Sequence, residues 1–125
     1  ADTIIPPRLT ERYYRHLVKT MGANRVETFL RFYTVPAWSH GVSTTFQAKW
    51  DWLSAIDRWS GAGVDPGDRQ VITDAIGVPG RTRPLCEYPG WPKYNGSGDI
   101  NRAASFTCAV SGNAYLRTGD RQSRP

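Results

Sequence analysis

An aspartate near the start of the chain and a histidine after an apolar stretch are the residues whose types suit acid–base chemistry. Asp2 stands just ahead of a predicted helix, and His40 comes four residues after Pro36, which ends a predicted strand. An imidazole can take a proton from a nucleophile through Nε2, while a carboxylate that accepts its Nδ1–H fixes the tautomer and stabilises the imidazolium. The two residues therefore predict a general base and its orienting partner. The alternative is a histidine that only fills a turn.

The nucleophile that such a pair would activate is not encoded in the chain. A nucleophile elbow has the pattern Gly-x-Ser-x-Gly on a tight turn between a strand and a helix. Residues 41–45 lack the second glycine of that pattern, and Gly96-Ser97-Gly98 has the wrong frame. The order Asp then His matches the last two members of the Ser, Asp or Glu, His order of α/β-hydrolases. We therefore expect the attacking serine to lie outside this chain.

Two amphipathic helices and one strand are predicted to position these residues. Helical spacing predicts a helix over 8–21 that stops at Gly22, and a second helix over 47–59. Between them, the aromatic and β-branched residues 29–35 predict a strand with a buried face. The apolar positions of the first helix are Leu9, Tyr13, Leu17 and Met21. Those of the second helix are Trp52, Leu53, Ile56 and Trp59, and we expect them to pack in a core.

After Val64 the composition changes, because prolines and glycines recur at short intervals. This pattern predicts short strands and loops wrapped over a surface rather than a second core. The best strand candidates are 70–75 and 81–86, and Asp99 is placed to cap a brief helical turn that runs through Ala104. We therefore divide the chain into a core part at 1–63, a coil-rich extension at 64–118 and a polar, disordered tail at 119–125.

Strands that alternate with helices predict an α/β fold with parallel strands. Parallel strands joined by a helix would bring Asp2 and His40 to the same edge of the sheet. A lone strand with two helices cannot complete a sheet, so we expect the C-terminal portion of a larger sheet, or a chain whose partner supplies the rest.

Charge and composition narrow the possible functions. The net charge is +5, from 16 Lys and Arg against 11 Asp and Glu, but the arginines are scattered and no nucleic-acid-binding motif occurs. We therefore expect neither nucleic acid nor membrane as a partner, since no apolar run of membrane-spanning length is present and no signal peptide opens the chain. Cys86 and Cys108 are too few for a thiolate metal site and indicate either a single disulfide, in an oxidising compartment, or two free thiols.

Several stretches of the chain resemble the C-terminal third of the tannase and feruloyl esterase family. The resemblance covers about residues 1–110. The matching stretches are 2–7 with Tyr13-Tyr14, 29–36 running to His40, 50–59, 81–89 (RTRPLCEYP) and 94–108 (YNGSGDINRAASFTC).

The resemblance implies an α/β-hydrolase with a large lid inserted upstream, which hydrolyses esters of aromatic acids such as gallate, ferulate or terephthalate monoesters. It places Asp2 and His40 on the triad aspartate and histidine of the family, and it implies a Cys86–Cys108 disulfide. The calcium site of the family lies in the lid, so no cofactor is expected in this chain. Many members carry a cysteine directly after the triad histidine, where this chain has Gly41. We therefore expect packing alone, through Trp38 and Phe46, to hold the histidine loop.

The sequence thus predicts the C-terminal part of a secreted or periplasmic serine carboxylic-ester hydrolase that acts on tannin gallate or feruloyl esters. This chain would supply Asp2 and His40, the N-terminal part of the same enzyme would supply the serine and the lid, and the chain alone would be inactive. That N-terminal part could be a separate polypeptide if this chain is a cleaved subunit. The alternative is a stand-alone, Trp-rich basic module that binds polyphenol, glycan or nucleic acid, for which Trp38 and Trp91 are the plausible platforms.

Overall fold

The structure, a computed structural model, describes residues 5–111, in which two small antiparallel sheets follow a long helix. One sheet has the strand order β1-β2-β3, and the other pairs β4 with β5. The helices are α1 (Pro7–Met21), α2 (Ala23–Val26) and α3 (Trp52–Ala62). The strands are β1 (Ala48–Lys49), β2 (Gln70–Asp74), β3 (Thr82–Leu85), β4 (Trp91–Tyr94) and β5 (Phe106–Ala109), with short 3-10 turns at Gly67–Arg69 and Ala103–Ser105.

Helix α1 confirms the prediction from spacing. Pro7 fits the first turn because the N–H that proline lacks would have no partner inside the helix there. Gly22, with a φ of 84°, ends the helix and donates its N–H to the carbonyl of Val18 at 2.9 Å. The ring of Tyr14 lies 5.1 Å from that of Phe32 and 5.7 Å from that of Tyr88, so α1 is joined to the segment that follows it.

The strand predicted at 29–35 does not form a ladder within residues 5–111, and its place in a parallel sheet stays a prediction because the expected neighbouring strands lie outside the described residues. The backbone at Tyr33 makes a single antiparallel bridge with Glu87, and Tyr88 donates its N–H to the carbonyl of Phe32 at 2.7 Å. The ladder ends there because Gly90, the next residue that could donate to it, gives its N–H to the carbonyl of Glu87 at 2.7 Å instead. Every strand pair that the described residues form is antiparallel, so the parallel edge expected from the α/β pattern is not formed within 5–111.

Helix α3 begins five residues later than the predicted helix at 47–59. Ala48 and Lys49 instead pair with Asp74 and Thr73, and this sheet contact outweighs the local helical pattern. The side chain of Asp51 then caps α3 by accepting the N–H of Ser54 at 3.0 Å.

The strands predicted at 70–75 and 81–86 are confirmed as β2 and β3, which pair with each other. The predicted turn at Asp99 forms in a shifted position. The carboxylate of Asp99 accepts the N–H of Asn101 at 2.8 Å, but the 3-10 turn begins only at Ala103.

A small core lies on one face of the first sheet. Its buried members come from both sides of residue 63, and partly buried aromatic side chains pack against them. They are Phe46, Ala48, Ile72 and Leu85, covered by Tyr33, Val35, Trp38 and Trp50.

The apolar faces of the two long helices do not join this core. Leu9 and Tyr13 on α1 are 53% and 63% exposed, and Trp52 and Leu53 on α3 are 55% and 61% exposed. The prediction that the tryptophan face of α3 packs in a core is therefore not met by residues 5–111. These four side chains stay largely uncovered within residues 5–111, whereas Trp59, near the end of α3, is half-buried beneath the guanidinium of Arg31. No helix of the described chain is long and apolar enough to cross a membrane.

The second sheet is attached to the first by the disulfide between Cys86 and Cys108, which confirms the bridge that the resemblance implied. The two cysteines are separated by 22 positions in sequence. A loop of that length gives a stabilisation of about 3 kcal/mol, because the bridge restricts the unfolded chain.

The carboxylate of Asp74 connects three parts of the structure. Asp74 is 1% exposed, and its oxygens accept N–H groups from the turn at Ile76, Gly77 and Val78 at 2.7–3.1 Å. They also accept the N–H of Gln47 at 3.1 Å and the guanidinium of Arg81 at 2.6 Å. The first sheet, the 76–78 turn and the segment before β1 therefore share one buried anion.

These contacts determine the protonation of Asp74. Burial by itself would raise the pKa of the Asp74 carboxyl, but the N–H groups of Val78, Gln47 and Ile76, together with Arg81, hold that pKa well below its usual range. The depressed pKa therefore stabilises the folded protein fully at pH values above the ordinary aspartate pKa of about 3.9. This stabilisation is lost as the pH falls toward the lowered pKa of Asp74 in the folded protein.

We expect Asp74→Asn to lower the melting temperature by on the order of 10 °C at pH 7, because the amide NH2 would face N–H donors in a buried site. Below about pH 4 the difference from the wild type should shrink, since the unfolded wild-type carboxylate then gains a proton. Thermal melts followed by circular dichroism between pH 3 and pH 7 measure both effects. Asp57→Asn, at an exposed position of α3, is the matched control. Equal melts for the two variants would contradict this role of Asp74.

Candidate active-site loop

His40 lies on an exposed loop between the 30–35 segment and β1, and its side chain is exposed in the described chain. Asp2 lies outside the described residues. The predicted contact between the Asp2 carboxylate and the His40 imidazole therefore stays a prediction.

Two positions with left-handed backbone shape the histidine loop, which we define as residues 37–43. Ala37 has a φ of 63° and Gly41 a φ of 93°. Position 41 offers open space around a Cβ atom, but its φ is one that side chains of L-residues rarely adopt. Glycine thus fits the backbone directly after His40, and a cysteine there would be strained in this conformation.

Hydrogen bonds across the loop hold the backbone on both sides of His40. The Trp38 indole N–H donates to the carbonyl of Gly41 at 3.2 Å, and the Ser39 hydroxyl donates to the carbonyl of Val42 at 2.8 Å. Each bond spans three residues and encloses His40. The imidazole is therefore carried by a closed turn.

Ser43 anchors the end of the loop. Its buried hydroxyl donates to the carbonyl of Ala37 at 2.8 Å, which closes the loop from its first residue to its last. The N–H of Ser43 donates to the side-chain oxygen of Gln47 at 2.8 Å, and the N–H of Gln47 donates to Asp74. A chain of hydrogen bonds thus runs from the histidine loop to the buried carboxylate under the sheet.

A second connection passes through Arg81, which donates to the carbonyl of Thr45 at 2.8 Å and lies with its guanidinium carbon 5.1 Å from the centre of the Phe46 ring. Gly77 is required on the other side of this contact, because a Cβ there would collide with the Thr45 carbonyl. The residues that follow the histidine loop are therefore fixed from two directions.

The expectation that packing alone holds the loop is wrong, because these hydrogen bonds act together with the packing. The packing itself is as expected. The rings of Trp38 and Trp50 meet edge to face at 5.7 Å, and Phe46 is 7% exposed. Trp38 packs against the core and so is not a free platform for a ligand, whereas Trp91, on β4, is 45% exposed.

Sequence reasoning missed the anchoring roles of Ser43, Asp74 and Arg81. An aspartate followed three residues later by glycine is a recognisable turn signal, and it was available at Asp74 and Gly77. Nothing local to Ser43 or Arg81 shows that their partners lie across the fold. No group of three metal-binding side chains occurs in the part of the chain that the structure describes.

A further cluster fixes the start of the segment that leads to His40. Arg31 pairs with Asp65 through its Nε at 2.9 Å, and its guanidinium lies over the ring of Trp59. The hydrogen bond to Asp65 raises the pKa of Arg31. Beside it, burial and the charge of Glu87 raise the pKa of Tyr33 to about 12, so this phenol stays neutral and donates to the carbonyl of Gly67 at 2.9 Å. These residues attach the segment to the C-terminal end of α3.

Comparison with known proteins identifies the family of this chain. Residues 1–109 match the family model of tannase and feruloyl esterase. An uncharacterized esterase of Agrobacterium fabrum is 43% identical over 110 residues, which are 86% of this chain and 20% of that protein. The mono(2-hydroxyethyl) terephthalate hydrolase of Piscinibacter sakaiensis is 35% identical over 104 residues, 81% of this chain and 17% of that enzyme.

The fold is similar to that of feruloyl esterase B from Aspergillus oryzae, with a TM-score of 0.73 at 22% identity, over 86% of this chain and 25% of that one. The chain spans about a fifth of the length of the curated relatives that it matches. Since the family model matches residues 1–109 of the 125-residue sequence, the chain belongs to the tannase and feruloyl esterase family.

Proposed function

We propose that this chain is the C-terminal part of a serine carboxylic-ester hydrolase that acts on esters of aromatic acids, tannin gallate or feruloyl esters. It supplies His40 and Asp2, and the nucleophilic serine and the lid belong to the N-terminal part of the same enzyme. The observation that carries the proposal is the exposed imidazole on a loop that hydrogen bonds tie to the core, in a chain of an esterase family.

In this proposal His40 takes the proton of the serine hydroxyl through Nε2 as the oxygen attacks the ester carbonyl. It then returns the proton to the leaving alcohol, and it repeats both steps with water to release the acid. Asp2 accepts the Nδ1–H of His40, keeps the ring in the correct tautomer and stabilises the imidazolium. The closed turn at 38–42 contributes by holding the ring in place before substrate binds, which lowers the entropic cost of reaching the transition state.

The exposed helix faces support the proposal that the rest of the enzyme covers this chain. Exposed apolar side chains line α1 at Leu9 and Tyr13 and α3 at Leu53 and Ile56. Contiguous apolar surface of this kind marks an interface in a soluble protein. Since the chain spans only about a fifth of its relatives, we assign these faces to contact with the N-terminal part.

We further propose that the division at residues 63 and 64 separates the part with the triad residues from an extension that supports it. The tail at 119–125 lies outside the described residues. A secreted or periplasmic location is supported by the Cys86–Cys108 disulfide, because such bridges persist in oxidising compartments.

In the complete enzyme, we expect His40→Ala to lower kcat for methyl ferulate or methyl gallate by several orders of magnitude, because no other base is in place. Asp2→Asn should cost about 10⁴-fold if the effect known for serine proteases transfers. The measurement is steady-state kinetics of the purified variants, and the 125-residue chain alone should show no turnover.

His16→Ala is the matched control, because His16 lies exposed on α1, and it should keep the wild-type rate. Full activity of the His40 variant would exclude the triad assignment. Turnover by the isolated chain that His40→Ala abolishes would instead contradict the proposal that the nucleophile lies outside this chain.

For the helix faces, we expect Leu53→Glu to lower the melting temperature of the complete enzyme by several degrees. It would remove the burial of a leucine, which stabilises by about 1.5–3 kcal/mol, and place a charge in an interface. Arg58→Glu introduces the same residue at an exposed polar position of α3 and should have little effect. Differential scanning calorimetry measures both variants. If Leu53→Glu melts like Arg58→Glu, then α3 does not contact the rest of the enzyme through this face.

A further inference from the structure

A cavity of about 210 Å³ lies between residues 34–37 and the core face of the first sheet. Its size suits a ligand with a single ring, since pockets for larger drug-like ligands begin at roughly 300 Å³. The walls are mainly apolar, with side chains of Phe46, Ile72 and Leu85 and three prolines, Pro36, Pro84 and Pro92.

Two arginines, Arg81 and Arg83, line the same cavity. Arg81 is neutralised by its ion pair with Asp74 at 2.6 Å. The charge of Arg81 is therefore already compensated within the fold.

Arg83 carries a charge that no carboxylate within residues 5–111 neutralises by an ion pair. Its guanidinium carbon lies 4.2 Å from the centre of the Phe106 ring, and one nitrogen donates to the carbonyl of Thr82 at 2.7 Å. Burial and the nearby charge of Arg81 lower the pKa of Arg83. An anion in the cavity would relieve that repulsion.

We propose that this cavity binds a small aromatic carboxylate, with its ring against Phe46 and Leu85 and its carboxylate toward Arg83. An inorganic anion would leave the apolar walls unfilled, and a neutral ring would leave the Arg83 charge without a counterion. The naming of ferulate-type acids as the ligand rests on the proposed function, because ester hydrolysis would release them. The cavity and its charges do not depend on it.

The site adjoins the segment that enters the histidine loop. Ala37 lines the cavity and also accepts the Ser43 hydroxyl that closes the loop. A ligand in the cavity therefore contacts the first residue of the loop that carries His40.

The test is titration of the complete enzyme with ferulate and with ferulamide, its uncharged analogue of nearly the same shape. Isothermal titration calorimetry gives the affinities and the stoichiometry. In a methyl-labelled sample, nuclear Overhauser effects between the ferulate ring and the methyl groups of Ile72 or Leu85 locate the ligand. We expect these effects with ferulate, and we expect them to be weak or absent with ferulamide.

Arg83→Gln should weaken the binding of ferulate at this site by roughly 10–100-fold, the usual value of a charge-assisted hydrogen bond. Arg102→Gln removes the same charge at an exposed position, where the side chain is 70% exposed, and should leave the affinity unchanged. If Arg83→Gln does not fold, the comparison of ferulate with ferulamide on the wild-type enzyme still decides the question.

Three results would overturn the site. They are the absence of contacts to Ile72 and Leu85, equal binding of ferulate and ferulamide there, and a structure of the complete enzyme in which another segment fills the cavity. Failure of the proposed function is a separate result, because His40→Ala would then keep its activity while ferulate still contacts Ile72.

Discussion

The buried carboxylate of Asp74 is the constraint on which the arrangement of the described chain depends. A charge that is 1% exposed is stable only if its oxygens are fully hydrogen-bonded, and Asp74 meets this condition with backbone N–H groups and Arg81. Those donors come from three places in the sequence, so the anion requires that Gln47, the 76–78 turn and Arg81 meet at one point. The histidine loop is attached to that point through Ser43 and Gln47.

The apolar side chains of the described residues are divided between a small core and exposed helix faces. The core beneath the first sheet is small, and it buries four hydrophobic side chains under four partly buried ones. The long helices meanwhile keep much of their apolar surface exposed, as at Tyr13 and Leu53. This pattern is typical of a chain whose helices are patterned to pack against a larger body, in agreement with the fraction of its relatives that it spans.

Elements with strong local signals could be predicted from the sequence. Helix α1 has a clear apolar period and a glycine stop, and β2 and β3 are bounded by prolines and glycines. The disulfide followed from the family resemblance. The start of α3 could not be predicted, because Ala48 and Lys49 are drawn into the sheet by β2, which lies more than 20 residues further along the chain. The segment at 29–35 has the composition of a strand, but within 5–111 it finds only Glu87 as a bridge partner. The roles of Ser43 and Arg81 likewise arise from partners distant in sequence, which no local pattern reveals.

The central claim is that the imidazole on the closed loop and the carboxylate at the start of the chain act as one unit. A crystal structure of the complete enzyme tests it most directly, through the distance between the Asp2 carboxylate and Nδ1 of His40. The account predicts a hydrogen bond of about 2.7–3.0 Å, with Nε2 facing a serine hydroxyl. A structure in which the two side chains lie at opposite edges of the sheet, with no serine near the imidazole, would contradict it.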